Sequence, residues 1–209
     1  LNGKASKMAA DLLINAMTKP DGTFRTHAEM VAEGIPTKYE AQYQNPSDPD
    51  LCDLDPNTGV GNPTPDYTYA LFLAEVEVDT ATGKATVIGY TCVDDVGTIG
   101  DLDAVNGQAY GGLSHSIGFA LSENYDDVKK HNNIAGAGIP QIKDIPDKFD
   151  IIHIVTERKK NPFGSSGASE AYQSSGHVAV INAIYDACGV RIYELPATPA
   201  KIKAGLEIL

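Results

Sequence analysis

The sequence predicts an α+β fold, a mixed sheet with packed helices, and three observations carry that expectation. Residues 67–96 hold two β-rich runs joined by a glycine turn, and helical periodicity recurs before and after them. The strands and helices also follow one another without the regular βαβ alternation of a doubly wound sheet. With 209 residues, 42% hydrophobic and 21% charged, the chain is long enough for one large domain or two small subdomains. Its composition is that of a compact protein rather than a disordered one.

Each element follows from local pattern. Met8, Leu12, Leu13 and Met17 recur at helical spacing within residues 4–18, and Pro20-Asp21-Gly22 supplies a stop and a turn, which predicts a surface-packed amphipathic helix. Residues 42–66 are crowded with Asn, Asp and Pro, including Pro46, Pro49, Pro56, Pro63 and Pro65, so a long loop is expected there. Residues 67–79 and 85–96 are rich in β-formers with Gly83 between them, a β-hairpin. Leu102, Val105, Tyr110, Leu113, Ile117 and Leu121 mark a helix over 101–121. Gly107, Gly111 and Gly112 would weaken that helix if it were merely exposed, so they predict close approach by another backbone or a ligand. Residues 136–146 read as an extended connector, 149–156 as a short buried strand, and 161–169 as a Gly/Ser loop. Residues 177–187 read as a buried helix ending at Gly189, and Thr198-Pro199 opens a last short helix with Thr as cap and Pro in the first position.

A formal charge of -12 opposes binding to nucleic acid or to an anionic membrane surface, both of which need a basic patch. No apolar run approaches the roughly 18–20 residues that span a bilayer, and no signal-peptide pattern is present, so a soluble protein is expected. Cys52, Cys92 and Cys188 are odd in number and far apart, which disfavours a disulfide framework and paired-cysteine metal sites and fits a reducing cytoplasm. The chain opens on Leu1 within what reads as a helix in progress, so a piece of a longer polypeptide is expected.

The sharpest local feature is Pro162-Phe163-Gly164-Ser165-Ser166-Gly167-Ala168-Ser169-Glu170, a small polar loop that leads into a carboxylate and then an apolar helix. Small residues let backbone N–H groups approach a polar ligand, and the carboxylate can take a proton; an ordinary loop with a capping Glu fits the same composition. Other signals are weaker. Asp53-Leu54-Asp55-Pro56-Asn57 is similar to the start of a calcium loop, but Thr58 stands where Gly is needed and Thr64 where Glu is needed. His27, His115, His131, His153 and His177 show no ligand spacing, so no metal-ligating residue is assigned. Gly164-Ser165-Ser166-Gly167 does not match a hydrolase nucleophile elbow.

Three segments in order resemble the molybdenum hydroxylases, the aldehyde oxidoreductase and xanthine dehydrogenase family: Asp95-Val96-Gly97, then Asn106-Gly107-Gln108-Ala109-Tyr110-Gly111-Gly112, then Pro162-Phe163-Gly164 through Glu170. Asp144-Ile145-Pro146-Asp147-Lys148-Phe149-Asp150 is similar to the family's connector before its last core strand, and Leu195-Pro196-Ala197-Thr198-Pro199 to its closing segment. The resemblance implies that residues 1–209 form the C-terminal part of a molybdopterin-binding domain.

It implies further that Glu170 is the catalytic base, that Gln108 hydrogen-bonds the cofactor, and that the backbone of Ser166, Gly167, Ala168 and Ser169 lies against the molybdopterin. Independently of the resemblance, a base at Glu170 is expected to be partly buried in an apolar cleft. Where this chain has Ser169 the family usually has Gly, which implies a tighter loop. The activity implied is hydroxylation of an aldehyde to a carboxylic acid with water as the oxygen source; a xanthine or N-heterocycle dehydrogenase of the same family is the alternative. The cofactor implied is molybdopterin cytosine dinucleotide with molybdenum, and 2Fe-2S clusters belong to parent domains outside this chain. The partners implied are the rest of the parent polypeptide or complementary subunits, with a homodimeric parent. A non-catalytic binding or scaffold module would instead leave Glu170 solvent-exposed or salt-bridged far from Gln108, whereas the enzyme reading puts both in one cleft.

Overall fold

The computed structural model describes residues 1–44 and 50–208, which divide into two compact units, 1–66 with 159–164 and 67–158 with 165–209. The first unit opens with helix α1, Asn2–Met17, which has no fully buried residue. Its C-terminal Thr18 pairs with Phe24 across the Pro20-Asp21-Gly22 turn, where Gly22 takes a left-handed φ of 84°. Helix α2, His27–Ala32, is held by a capping box in which Thr26 and Glu29 satisfy each other's backbone N–H groups. Lys19 pairs with Glu29 at 2.7 Å and Arg25 with Glu33 at 2.8 Å. In the proline-rich segment Pro46 and Pro49 lie outside the described residues. Residues 50–66 form turns and a single bridge between Cys52 and Asn62. Asp55 accepts the N–H groups of Asn57 and Thr58 there, so the carboxylate that begins the calcium-like motif closes a local turn.

The second unit is built on a three-stranded sheet in the order β1-β2-β3. Strands β1, Tyr69–Asp79, and β2, Lys84–Asp95, form an antiparallel hairpin with a register shift between Glu75 and Val76. Gly83 turns the hairpin at φ 76° and packs against the backbone of Pro199 and Lys203, so a side chain there has neither the conformation nor the space. Helix α3, Leu102–Leu121, crosses to β3, Lys148–His153, which lies parallel to β2. A 3-10 turn at Ile142–Asp144 interrupts the connector before β3. Helices α4, Ala171–Ser174, α5, Gly176–Cys188, and α6, Pro199–Leu206, complete the unit. Its core joins Val87, Tyr90 and Cys92 of the sheet to Leu113 and Ile117 of α3, Val180 and Ile184 of α5 and Ile202 of α6.

Two sequence expectations need correction. β3 alternates exposed and half-buried residues rather than being buried throughout, because it forms one edge of the sheet. α5 buries Gly176, Val180, Ile181 and Ile184 and leaves Val178 and Tyr185 exposed, so only one face meets the core.

Candidate active site

The loop that ends in Glu170 is anchored at its first residues. Asp95 accepts the Gly97 N–H at 3.0 Å and is gripped by Arg158, whose Nη2 donates to the Asp95 carbonyl at 2.8 Å. Gly97 takes φ 74° and bridges Ser165. Ser166 N–H then donates to Val96 O at 2.8 Å, its hydroxyl pairs with Thr68 Oγ1 at 2.8 Å, and Thr68 also donates to Gly167 O. The Asp95-Val96-Gly97 motif thus acts as a docking strip for the start of the loop.

Beyond Ser166 the chain changes character. The N–H groups of Gly167, Ala168, Ser169 and Glu170 make no hydrogen bond among the described residues. Ala168 packs against the core, while Gly167, Ser169 and Glu170 are exposed. Backbone N–H donors without an internal partner can bind an acceptor on a polar or anionic group. Of the four loop residues expected at a cofactor, the N–H of Ser166 is already committed to Val96.

Facing the end of this loop, Ser169 and Glu170, is the open side of α3. Asp101 caps the helix by accepting Ala104 N–H at 2.9 Å. Ala109, Leu113, Ser116 and Ile117 turn inward, which leaves Gly107, Gln108, Gly111 and His115 on the exposed face. A β-carbon added at Gly107 or Gly111 would meet nothing within 4 Å, whereas one at Gly112 would strike Tyr172. The glycines therefore divide: Gly112 admits α4, and Gly107 and Gly111 keep a surface clear.

Between α3 and α4 lies a cleft of about 230 Å³ lined by Gly107, Gln108, Gly111, Gly112, His115, Ser169, Glu170 and Gln173. The structure thus brings Gln108 and Glu170 to one cleft from segments far apart in sequence. It also corrects the expected surroundings of Glu170, which is exposed at an opening lined by glycine and polar groups rather than half-buried in an apolar pocket. Gln173 was missed, although it lies three residues after Glu170 and so on the same helical face. A larger groove of about 580 Å³ along β1 and α5 contains none of the expected site residues.

A glycine-cleared helix face opposite Ser169 and Glu170 makes a polar cleft with room for a ligand. Comparison with known proteins specifies the cofactor. A family model described as molybdopterin cofactor-binding domain matches residues 1–146. The aldehyde oxidoreductase of Megalodesulfovibrio gigas is 45% identical over 207 residues, 99% of this chain and 22% of the relative. A solved structure of aldehyde oxidoreductase from Desulfovibrio gigas superposes with a TM-score of 0.88 at 44% identity, over 99% of this chain and 22% of that one. A probable hypoxanthine oxidase of Escherichia coli is 34% identical over 150 residues, 69% of this chain and 16% of the relative. The chain belongs to the molybdopterin cofactor-binding domains of the molybdenum hydroxylase family. It spans about a fifth of the length of these relatives. The family model ends before Glu170, so that loop is matched through the whole-length relatives. Among the described residues no helix is long and apolar enough to cross a membrane.

Proposed function

We propose that this chain forms one wall of the active site of a molybdenum-dependent oxidoreductase that converts an aldehyde and water to a carboxylic acid, releasing two electrons and two protons. The observation that carries this reading is the shared cleft of Gln108 and Glu170. Similarity to aldehyde oxidoreductases over nearly the whole chain favours an aldehyde as substrate. The match to a probable hypoxanthine oxidase keeps an N-heterocycle as the second reading.

The residues fit a molybdopterin group. The amides of Gly167, Ala168 and Ser169 and the side chain of Gln108 would hold its polar edges, and Gly107 and Gly111 leave room for it. When bound, that cofactor supplies the two-electron redox chemistry, in the cytosine dinucleotide form on this reading, with 2Fe-2S clusters elsewhere in the parent as the electron outlet. The chain's own part is to orient and to move a proton. The Glu170 carboxylate, placed at the N-terminus of α4, accepts the proton that water gives up as its oxygen attacks the substrate carbon. Gln108 and Gln173, which line the same cleft, offer amides to orient bound groups.

The test is Glu170→Gln in the full-length enzyme, with molybdenum content measured alongside turnover. A fall in kcat of about a hundredfold or more at unchanged molybdenum content is expected, the size of a lost general base. Retained turnover would remove Glu170 from the reaction.

A further inference from the structure

Asp94, next to last in β2, is 1% exposed and its side chain is wholly buried. A carboxylate removed from water is costly unless hydrogen bonds satisfy it. Here the strand register supplies the first partner. Asp94 pairs with His153 across the parallel β2-β3 ladder, which puts the two side chains on the same face, and Nδ1 of His153 lies 2.9 Å from each carboxylate oxygen. The second partner is the Tyr172 hydroxyl, which donates to Oδ2 at 3.0 Å from a side chain that is itself fully buried. The opposite ring nitrogen of His153 meets the side-chain amide of Asn106 at 2.9 Å.

The positions of these partners matter more than their number. Asn106 lies two residues before Gln108 on α3, and Tyr172 two residues after Glu170 on α4. The backbones of the two helices meet at Gly112 and Tyr172, where Ser116 Oγ also donates to Tyr172 O at 3.4 Å. One residue of each helix is therefore tied to one buried carboxylate in the sheet, Tyr172 directly and Asn106 through His153. Apolar residues of equal volume often replace a buried ion pair without loss of stability. What they would not supply is directional bonds that hold two helices to one point.

We infer that Asp94 is a positioning residue whose bonds to His153 and Tyr172, extended through His153 to Asn106, set Gln108 and Glu170 in register across the cleft. This inference rests on the proposed function for its catalytic consequence and on the hydrogen bonds at Asp94 for its mechanical one. The hub acts on the reaction only through the helices it holds.

The experiment uses the full-length enzyme carrying Tyr172→Phe, which removes one hydroxyl and keeps the ring, with Asp94→Asn as the stronger lesion. Turnover, molybdenum content, thermal midpoint and amide hydrogen exchange over residues 104–116 and 170–176 are measured together. The expected result for Tyr172→Phe is a kcat reduced about tenfold or more by misplacement, with KM within about twofold. Faster exchange should accompany it in both segments. Unchanged kcat and exchange would overturn the inference, as would a lowered thermal midpoint with unchanged kcat, which is the signature of a purely structural role. If Asp94→Asn does not fold, Tyr172→Phe decides alone. Glu170→Gln is run in parallel. Should it keep full turnover, the base assignment fails, and exchange alone decides the hub: faster in both segments supports it, unchanged overturns it.

Discussion

Gly112 of α3 stands so close to Tyr172 that an added β-carbon would lie 2.5 Å from Tyr172 Cβ and 3.0 Å from its carbonyl carbon. That approach joins the two walls of the cleft, and it is possible only because position 112 has no side chain. The adjacent residue, Gly111, faces open space. Neighbouring glycines in one motif thus do different physical work.

Substitution separates them. Gly112→Ala should destabilise by about 1–3 kcal/mol, since neither the α4 backbone nor the ring base of Tyr172 can move freely. Gly111→Ala should be neutral or stabilising by up to ~1 kcal/mol, because alanine is the better helix former and meets no neighbour. Denaturant melts of the two variants check this, and equal effects would contradict the packing described.

The three thiols should differ sharply in reactivity. Burial pushes the Cys92 thiol up to about 12, with the Asp94 charge adding to the effect, and the residue is fully covered. Cys52 is exposed and Cys188 is half-buried, its thiol bonded to Ile184 O. Titration with a disulfide reagent should modify Cys52 readily and Cys92 only on unfolding. Rapid native modification of Cys92 would show that the sheet and α4 do not cover it.

Glu123 supplies a pH prediction. It is 8% exposed, packed against Gly118 just past the end of α3, and burial raises its pKa above the ordinary 4.5 while His115 and a bond with Tyr125 oppose the rise. The folded state therefore keeps this proton to higher pH than the unfolded state does. Stability is greatest below the unfolded value and declines as pH rises through the folded one. Glu123→Gln cannot ionise and should flatten that decline. Unfolding free energies at pH 4 and pH 7 test it, and identical pH dependence in both proteins would contradict the assignment.

Much of the fold was legible because it is local. The α3 periodicity, the Gly83 turn, the left-handed Gly189 that ends α5 at φ 78° and the Thr198-Pro199 start of α6 each depend on residues a few positions apart. Even α2, which the apolar pattern did not reveal, carried a signal in the spacing of Thr26 and Glu29. Motif order was likewise readable, and through it the family. The environment of Glu170 was not, because exposure depends on which other segments close over a residue.

By itself, then, the sequence determined helices α1, α3, α5 and α6, the hairpin and the residue types offered to a cofactor, since caps, turns and periodicity act over one or two turns of chain. Only the tertiary structure decided that His153 and Tyr172 meet at Asp94, across separations of 59 and 78 residues, and that Asn106 joins them through His153. It also decided that Ser166 spends its amide on Val96 while the next four remain free. Those outcomes depend on the parallel register of β2 and β3 and on the close approach of α3 and α4 at Gly112. Contacts of that range are selected by packing, which no local spacing encodes.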